Sequence, residues 1–171
     1  MLTIILEPTD DLPQVVLTLE HSLVSISKWE SECTKPFFGR EQMSHEETVA
    51  YIKQMILDES PPEGWLERLK QEHYTEITDY INSKQSATWF REDPNQRPSR
   101  EIVTSELVYY WMTQFNIPFD PCETWHLNRL MTLVKICGIK QTKPKPMSKQ
   151  AQMEQYRQLN AQRRQQLGTS G

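Results

Sequence analysis

A chain of 171 residues with 37% apolar side chains has room for one hydrophobic core and too little length for two independent ones. No run approaches the roughly 18 apolar residues of a membrane span, and MLTIILEP lacks the basic start and long apolar stretch of a signal peptide, so a cytoplasmic protein is expected. The net charge of −4 hides an asymmetry: residues 1–139 carry 12 Lys and Arg against 22 Asp and Glu, a balance of −10, whereas residues 140–171 carry seven basic residues against Glu154 alone, a balance of +6. An acidic body repels phosphate backbones and anionic headgroups, so membranes are excluded as partners and nucleic acid is left only the tail.

In chain order, LTIIL from Leu2 to Leu6 and QVVLTLE from Gln14 to Glu20 are β-rich runs separated by PTDDLP, which is dense in turn formers, and they predict a hairpin within residues 1–20. HSLVSISKWESE follows, with Leu23, Ile26 and Trp29 at helical spacing and Glu30 and Glu32 on other faces, before KPFFG breaks the pattern. Ser44 with Glu47 reads as a capping box for a helix whose face is Val49, Ile52, Met55 and Ile56, ending before Ser60 and the pair Pro61 and Pro62. Short helices are expected from Glu63 to Lys70 and from Thr75 to Asn82, a strand or packed turn at ATWF, and a loop at REDPNQRP.

The strongest helical signal runs from Ser99 to Cys137. In SREIVTSELVYYWMTQF, Val103, Leu107, Trp111 and Phe115 recur every four positions and predict a stripe along a helix over 99–115, with Ser99 as N-cap and Pro98 at the boundary. In WHLNRLMTLVKIC, Leu127, Leu130, Met131 and Val134 repeat the pattern, and Gly138 is placed for a left-handed C-terminal cap. IPFDPC between them carries two prolines and reads as an extended, stiff connection. The fold class expected is therefore mainly α: a compact helical domain over residues 1–140 with a small N-terminal β-hairpin, followed by a basic, Gln-rich linker and tail helix over 141–171. Trp29, Trp89, Leu107, Trp111, Trp125 and Leu130 are the expected core.

KQTKPKPMSKQ has two prolines and four lysines and reads as a linker. After Ser148, AQMEQYRQLNAQRRQQL has high helix propensity with Met153, Tyr156 and Leu159 as its apolar positions, and Gly168 stops it. So thin a stripe does not stabilise an isolated helix, and folding on a partner is expected. Lys143, Lys145, Lys149, Tyr156, Arg157, Arg163 and Arg164 are the candidate partner-binding residues.

Signatures of chemistry are sparse. His21, His45, His73 and His126 are scattered without an HExxH pattern, and Cys33, Cys122 and Cys137 are odd in number and widely spaced, so neither a metal site nor a disulfide framework is expected. There is no GxSxG and no Gly-rich phosphate loop, so no catalytic residue and no cofactor is assigned. Glu101, Glu106, Tyr109, His126 and Arg129 would form an acid, base and cation set if brought together; capping, surface charge and buried hydrogen bonding is the reading preferred here. Trp65, Trp89, Trp111 and Trp125 are read as core rather than as stacking platforms, because in the sequence they are not interleaved with Lys and Arg.

Laid end to end, the blocks LEHSLVSISKWES, KPFF, SATWF, SREIVTSELVYYWM, NIPF, WHLNRLMTLVKIC and MSKQAQMEQYRQLNAQRRQQLGTSG resemble the tail assembly chaperones of long-tailed phages and prophages, in block order over nearly the whole chain. The turn between the N-terminal strands, PTDDLP, is shorter than in that family. The resemblance implies a non-enzymatic protein of the host cytoplasm that binds the phage tape measure protein and keeps it soluble while tail-tube subunits polymerise around it. The tail tube protein is then a second candidate partner, for the basic tail. Helices at 44–57, 99–115 and 123–137 would offer an apolar groove, or else all three stripes turn inward and close one core. A structural virion protein of the head, neck or tail, and a nucleic-acid binder acting through the tail, are the alternatives.

Overall fold

The computed structural model describes residues 1–9, 12–39, 42–58, 61, 63–90, 101–141, 153, 154, 156, 157 and 160. The chain divides into two units, Met1–Ile139 and Lys140–Gly171.

The hairpin follows from its alternation. Strands β1 (Leu2–Leu6) and β2 (Val15–Leu19) pair antiparallel, with Leu2 opposite Leu19 and Leu6 opposite Val15. Ile4, Leu6, Val15, Leu17 and Leu19 point into the core, and the opposed pair Ile5 and Val16 faces outward. Arg68, in the 3-10 turn Leu66–Arg68, holds the turn end of the hairpin: its Nη2 donates to the carbonyls of Leu6 at 3.1 Å, of Pro13 at 3.0 Å and of Glu7. That turn is all the regular structure that forms where a helix over 63–70 was expected.

Helix α1 (Leu23–Cys33) begins where the Ser22 hydroxyl accepts from the Ser25 N–H, and it ends at Thr34 with φ 53. Leu23, Ile26 and Trp29 are fully buried, as their spacing predicts. Glu30 is buried with them, which the spacing does not predict. Helix α2 (His45–Met55) carries the expected capping box, and the Trp29 indole donates to the Glu47 carbonyl at 3.0 Å, tying α1 to α2. It stops at Met55 because the next residues pair with β2: Ile56 bridges to Leu19, and the Leu57 N–H donates to the Thr18 carbonyl at 2.9 Å. Helix α3 (Gln71–Asn82) starts four residues earlier than expected and fully buries Ile77. ATWF forms no strand, and REDPNQRP lies outside the described residues.

The best sequence signal is shifted in space. Helix α4 spans Ser105–Gln114, with Thr104 as N-cap; Ser99 lies outside the described residues. Steps of four drift by about 40° each on a helix of 3.6 residues per turn, so the stripe from Val103 to Phe115 winds off any one face. The buried face is Ser105, Val108 and Met112, at spacings of three and four, and Leu107 and Trp111 stand half-buried on its flank. After α5 (Phe119–Cys122), helix α6 (Leu127–Gln141) buries Leu127, Leu130 and Val134 and runs through Gly138. Gly138 is thus an interior residue of the helix, packed toward Phe115, and not its cap.

The expected core holds for Trp29 and Leu130. Trp125 is half-buried, like Leu107 and Trp111. Trp89 is not core at all: it is 83% exposed, because it sits in an irregular segment after α3 that has no helix face to carry it inward. The architecture is mainly α with a small N-terminal hairpin. No helix among the described residues is long and apolar enough to cross a membrane. In the second unit, residues 153, 154, 156, 157 and 160 are helical, and Met153 and Tyr156 are exposed.

Candidate interaction site

Two polar assemblies organise the body. The first is the junction between β2 and α1, where Glu20, His21 and Ser22 are buried in succession. Their backbone is gripped from both sides: the Glu20 N–H donates to the Met55 carbonyl at 2.9 Å, and the His21 carbonyl accepts from the Leu127 N–H at 2.7 Å. The Glu20 carboxylate accepts from the Tyr80 hydroxyl at 2.6 Å and pairs with the amino group of Met1 at 2.8 Å. His21 Nδ1 is paired with the Tyr51 hydroxyl, and the His21 and His126 rings meet edge to face with centroids 5.0 Å apart.

Helix α6 reaches back into the same region to finish α3. The last carbonyls of a helix have no partner within it. Here the His126 Nε2–H donates to the Tyr80 carbonyl at 3.0 Å, and the Asn128 amide donates to those of Ile81 and Ser83 at 3.0 and 2.8 Å. His126 Nδ1 accepts from the Asn128 N–H at 3.2 Å, which fixes the tautomer. Burial, aided by the charge of His126, pushes the His21 pKa down from 6.5 to about 3. Burial also lowers His126, against the Tyr80 carbonyl and the Glu20 charge, which favour its protonated form. Tyr51 is raised by burial and by the charge of Glu20, and Tyr80 by burial and its bond to Glu20. Both imidazoles are therefore neutral near pH 7, and the junction is a bracket whose polar groups hold one another.

The second assembly is built on Glu30. Its carboxylate leaves the buried side of α1 and accepts from two backbone N–H groups, Phe37 through Oε1 and Ser105 through Oε2, each at 2.7 Å. Ser105 is the first residue of α4, where the helix dipole favours a negative charge. One buried carboxylate thus fixes two walls, the loop after α1 and the approach to α4. Between them lies a groove of about 340 Å3 walled by Pro36 and Phe38 on one side and Ile102 and Val103 on the other, with Glu101 at its edge. Ile102 is 69% exposed, a β-branched apolar side chain left in solvent.

The Glu101, Glu106, Tyr109, His126 and Arg129 set does not come together as a site. Tyr109 donates to Glu123 at 2.9 Å, and burial together with that bond raises its pKa. His126 caps α3, and Arg129 stacks on Trp125 with its guanidinium carbon 4.1 Å from the ring centroid. The Glu106 carboxyl is held below its usual range by its own N–H and the Thr104 hydroxyl. No group of three His, Cys, Asp or Glu side chains among the described residues is placed to hold a metal. Compared with known proteins, the chain matches no family model, no curated protein and no solved structure.

Of the candidate tail residues, Tyr156 and Arg157 lie exposed on helix. Lys143, Lys145, Lys149, Arg163 and Arg164 fall outside the described residues. The buried faces of α2, α4 and α6, that of α4 not being the stripe read from the sequence, turn inward and bring Ile52, Met112 and Leu130 into one cluster, so the groove comes from the segments leading into and out of helices. Sequence reasoning missed Glu30, because its partners are backbone groups, one in the loop after α1 and the other far along the chain at Ser105. It also missed the Glu20–Ser22 junction, whose one visible signal was a run of polar residues between two strongly apolar elements.

Proposed function

We propose that this protein is a non-enzymatic chaperone of phage tail assembly, which holds the tape measure protein soluble in the host cytoplasm before the tail tube closes around it. The observation that carries the reading is the apolar groove between Phe38 and Ile102, held open at fixed width by the Glu30 clamp. A tape measure protein is a long helical chain with apolar seams, and such a seam is recognised by a preformed apolar slot with a polar edge. Ile102 and Phe38 supply the slot and Glu101 the edge. The block-by-block resemblance of the sequence to tail assembly chaperones supports this choice of partner, and the groove supports an apolar contact of the kind such a partner would make. The tail, basic and with Met153 and Tyr156 exposed three residues apart, is the second contact, toward the same partner or the tail tube protein.

The test is co-expression with the tape measure protein of the same phage or prophage. The wild-type chain raises the soluble yield of that protein severalfold, and Ile102→Asp, an exposed substitution that leaves the fold intact, removes most of the gain. A wild-type chain without effect on solubility would overturn the chaperone reading, and an Ile102→Asp variant as effective as wild type would overturn the assignment of the groove.

A further inference from the structure

On another part of the body, aromatic side chains and cations alternate in space although they do not in sequence. The Lys84 ammonium lies 3.1 Å from the centroid of the Trp89 ring, and the Lys135 ammonium 4.3 Å from that of Phe90. Phe90, Lys84 and Lys135 line a shallow groove of about 380 Å3 with Asn82, Met131 and Thr132. Among the described residues none that lines it is acidic, in a body where acidic residues outnumber basic ones by ten.

The groove is built on fixed backbone. Asn128 binds the carbonyls of Ile81 and Ser83, the Ser83 hydroxyl donates to the Tyr80 carbonyl at 2.6 Å, and the chain then turns at Gln85 with φ 46. The segment that presents Trp89 is thereby pinned to α6, which supplies Met131, Thr132 and Lys135. A tryptophan 83% in solvent adds little to the core, and its ring is left available to a partner.

We propose that this groove docks an acidic peptide segment of a partner protein, one that alternates carboxylates with apolar side chains. The carboxylates pair with the Lys84 and Lys135 ammonium groups, and an apolar side chain covers Phe90, Met131 and the open face of Trp89. Single-stranded nucleic acid fits less well. It asks for aromatic faces free to stack bases and for a track of cations along its phosphates. Here a lysine covers one face of each ring, the described lining of the groove offers two ammonium groups, and the body as a whole is acidic. An acidic peptide needs only the two cations and an apolar floor. The inference is independent of the identity of the partner proposed above.

The experiment uses the full chain and fluorescence anisotropy. The probes are a labelled ten-residue peptide of repeating Glu-Leu, its Gln-Leu counterpart and a labelled oligo-dT of ten nucleotides. The Glu-Leu peptide binds about tenfold more tightly than the Gln-Leu peptide, which corresponds to about 1.4 kcal/mol. The double variant Lys84→Glu with Lys135→Glu removes that preference, and Trp89→Ala weakens binding of the Glu-Leu peptide severalfold. All three positions lie at the surface apart from the core, so unchanged circular dichroism and melting of the variants attribute the loss to the groove. Equal binding of the two peptides would overturn the proposal. So would a preference that survives the double variant, which would place acidic-peptide binding on the tail, or tighter binding of oligo-dT, which would make the groove a nucleic-acid site.

Discussion

The junction at Glu20–Ser22 and the segment from Lys84 to Phe90 invert the usual rule in opposite directions, one burying polar side chains and the other exposing an aromatic one. At the junction every buried side chain has a partner: Glu20 with Tyr80, His21 with Tyr51, Ser22 with Ser25. Polar groups so paired cost little and specify a single arrangement, here the joining of hairpin, α1, α2 and α6. In the Trp89 segment the exposed ring has a lysine above it and solvent around it. The contrast separates residues kept for the fold from residues available for a partner, and the same kind of substitution should read differently in the two places.

The largest effect is expected in the core beside the junction. Trp29→Ala deletes a fully buried indole that also donates to Glu47, and should cost about 3 to 5 kcal/mol in chemical denaturation. Glu30→Ala comes next, at about 2 to 4 kcal/mol, since it leaves the Phe37 and Ser105 N–H groups without their acceptor. Glu30→Ala should also weaken partner binding beyond what its stability loss explains, because it frees the two walls of the groove. A Glu30→Ala protein with wild-type stability would remove the clamp from the account.

The junction should also make stability depend on pH. His21 titrates at 6.5 when unfolded and at about 3 when folded, so between those values the unfolded chain binds the extra proton. The stabilising contribution is complete above about pH 6.5 and is lost as pH falls toward 3, with a slope of up to about 1.4 kcal/mol per pH unit. Urea denaturation at a series of pH values should show a shallower fall for His21→Gln than for wild type. Parallel curves would mean that His21 is not buried in its neutral form.

Smallest in stability are the exposed places. Trp89→Ala should change the unfolding free energy by less than about 0.5 kcal/mol, against the several expected for Trp29→Ala. Truncation after Gln141 should leave the melting temperature of the body nearly unchanged and weaken binding to the proposed tape measure partner, with the greater loss at low salt, where the +5 charge of residues 142–171 is least screened. A truncated chain that binds as tightly at every ionic strength would remove the tail from the interaction.

What the sequence revealed was local. The stripe of Leu23, Ile26 and Trp29 and the capping box of Ser44 and Glu47 depend on residues within one or two turns, and both stand in the structure. Alternation in β1 and β2 set the inward face of the hairpin for the same reason. The start of α4 was misplaced because a residue of α1, Glu30, binds the first N–H of the helix from far away in the chain. Gly138 reads as a cap only as long as the neighbour it packs toward, Phe115, is out of view. Trp89 reads as core because the tryptophans are not interleaved with Lys and Arg in the sequence. Its stacking with Lys84 depends on the turn at Gln85, and that of Phe90 with Lys135 on the meeting of two distant segments. The partners in both polar assemblies and in both grooves are not legible in residue order, because each joins segments far apart in the chain.

Hydrogen–deuterium exchange of the chain, alone and in complex with the tape measure protein, tests the central claim most directly. The account predicts new protection at residues 38–39 and 101–103, where the groove is walled. It predicts no change at residues 20–22 and 126–128, where the hydrogen bonds of the junction are already satisfied. Protection gained at the junction, with the groove exchanging as it does in the free chain, would contradict it.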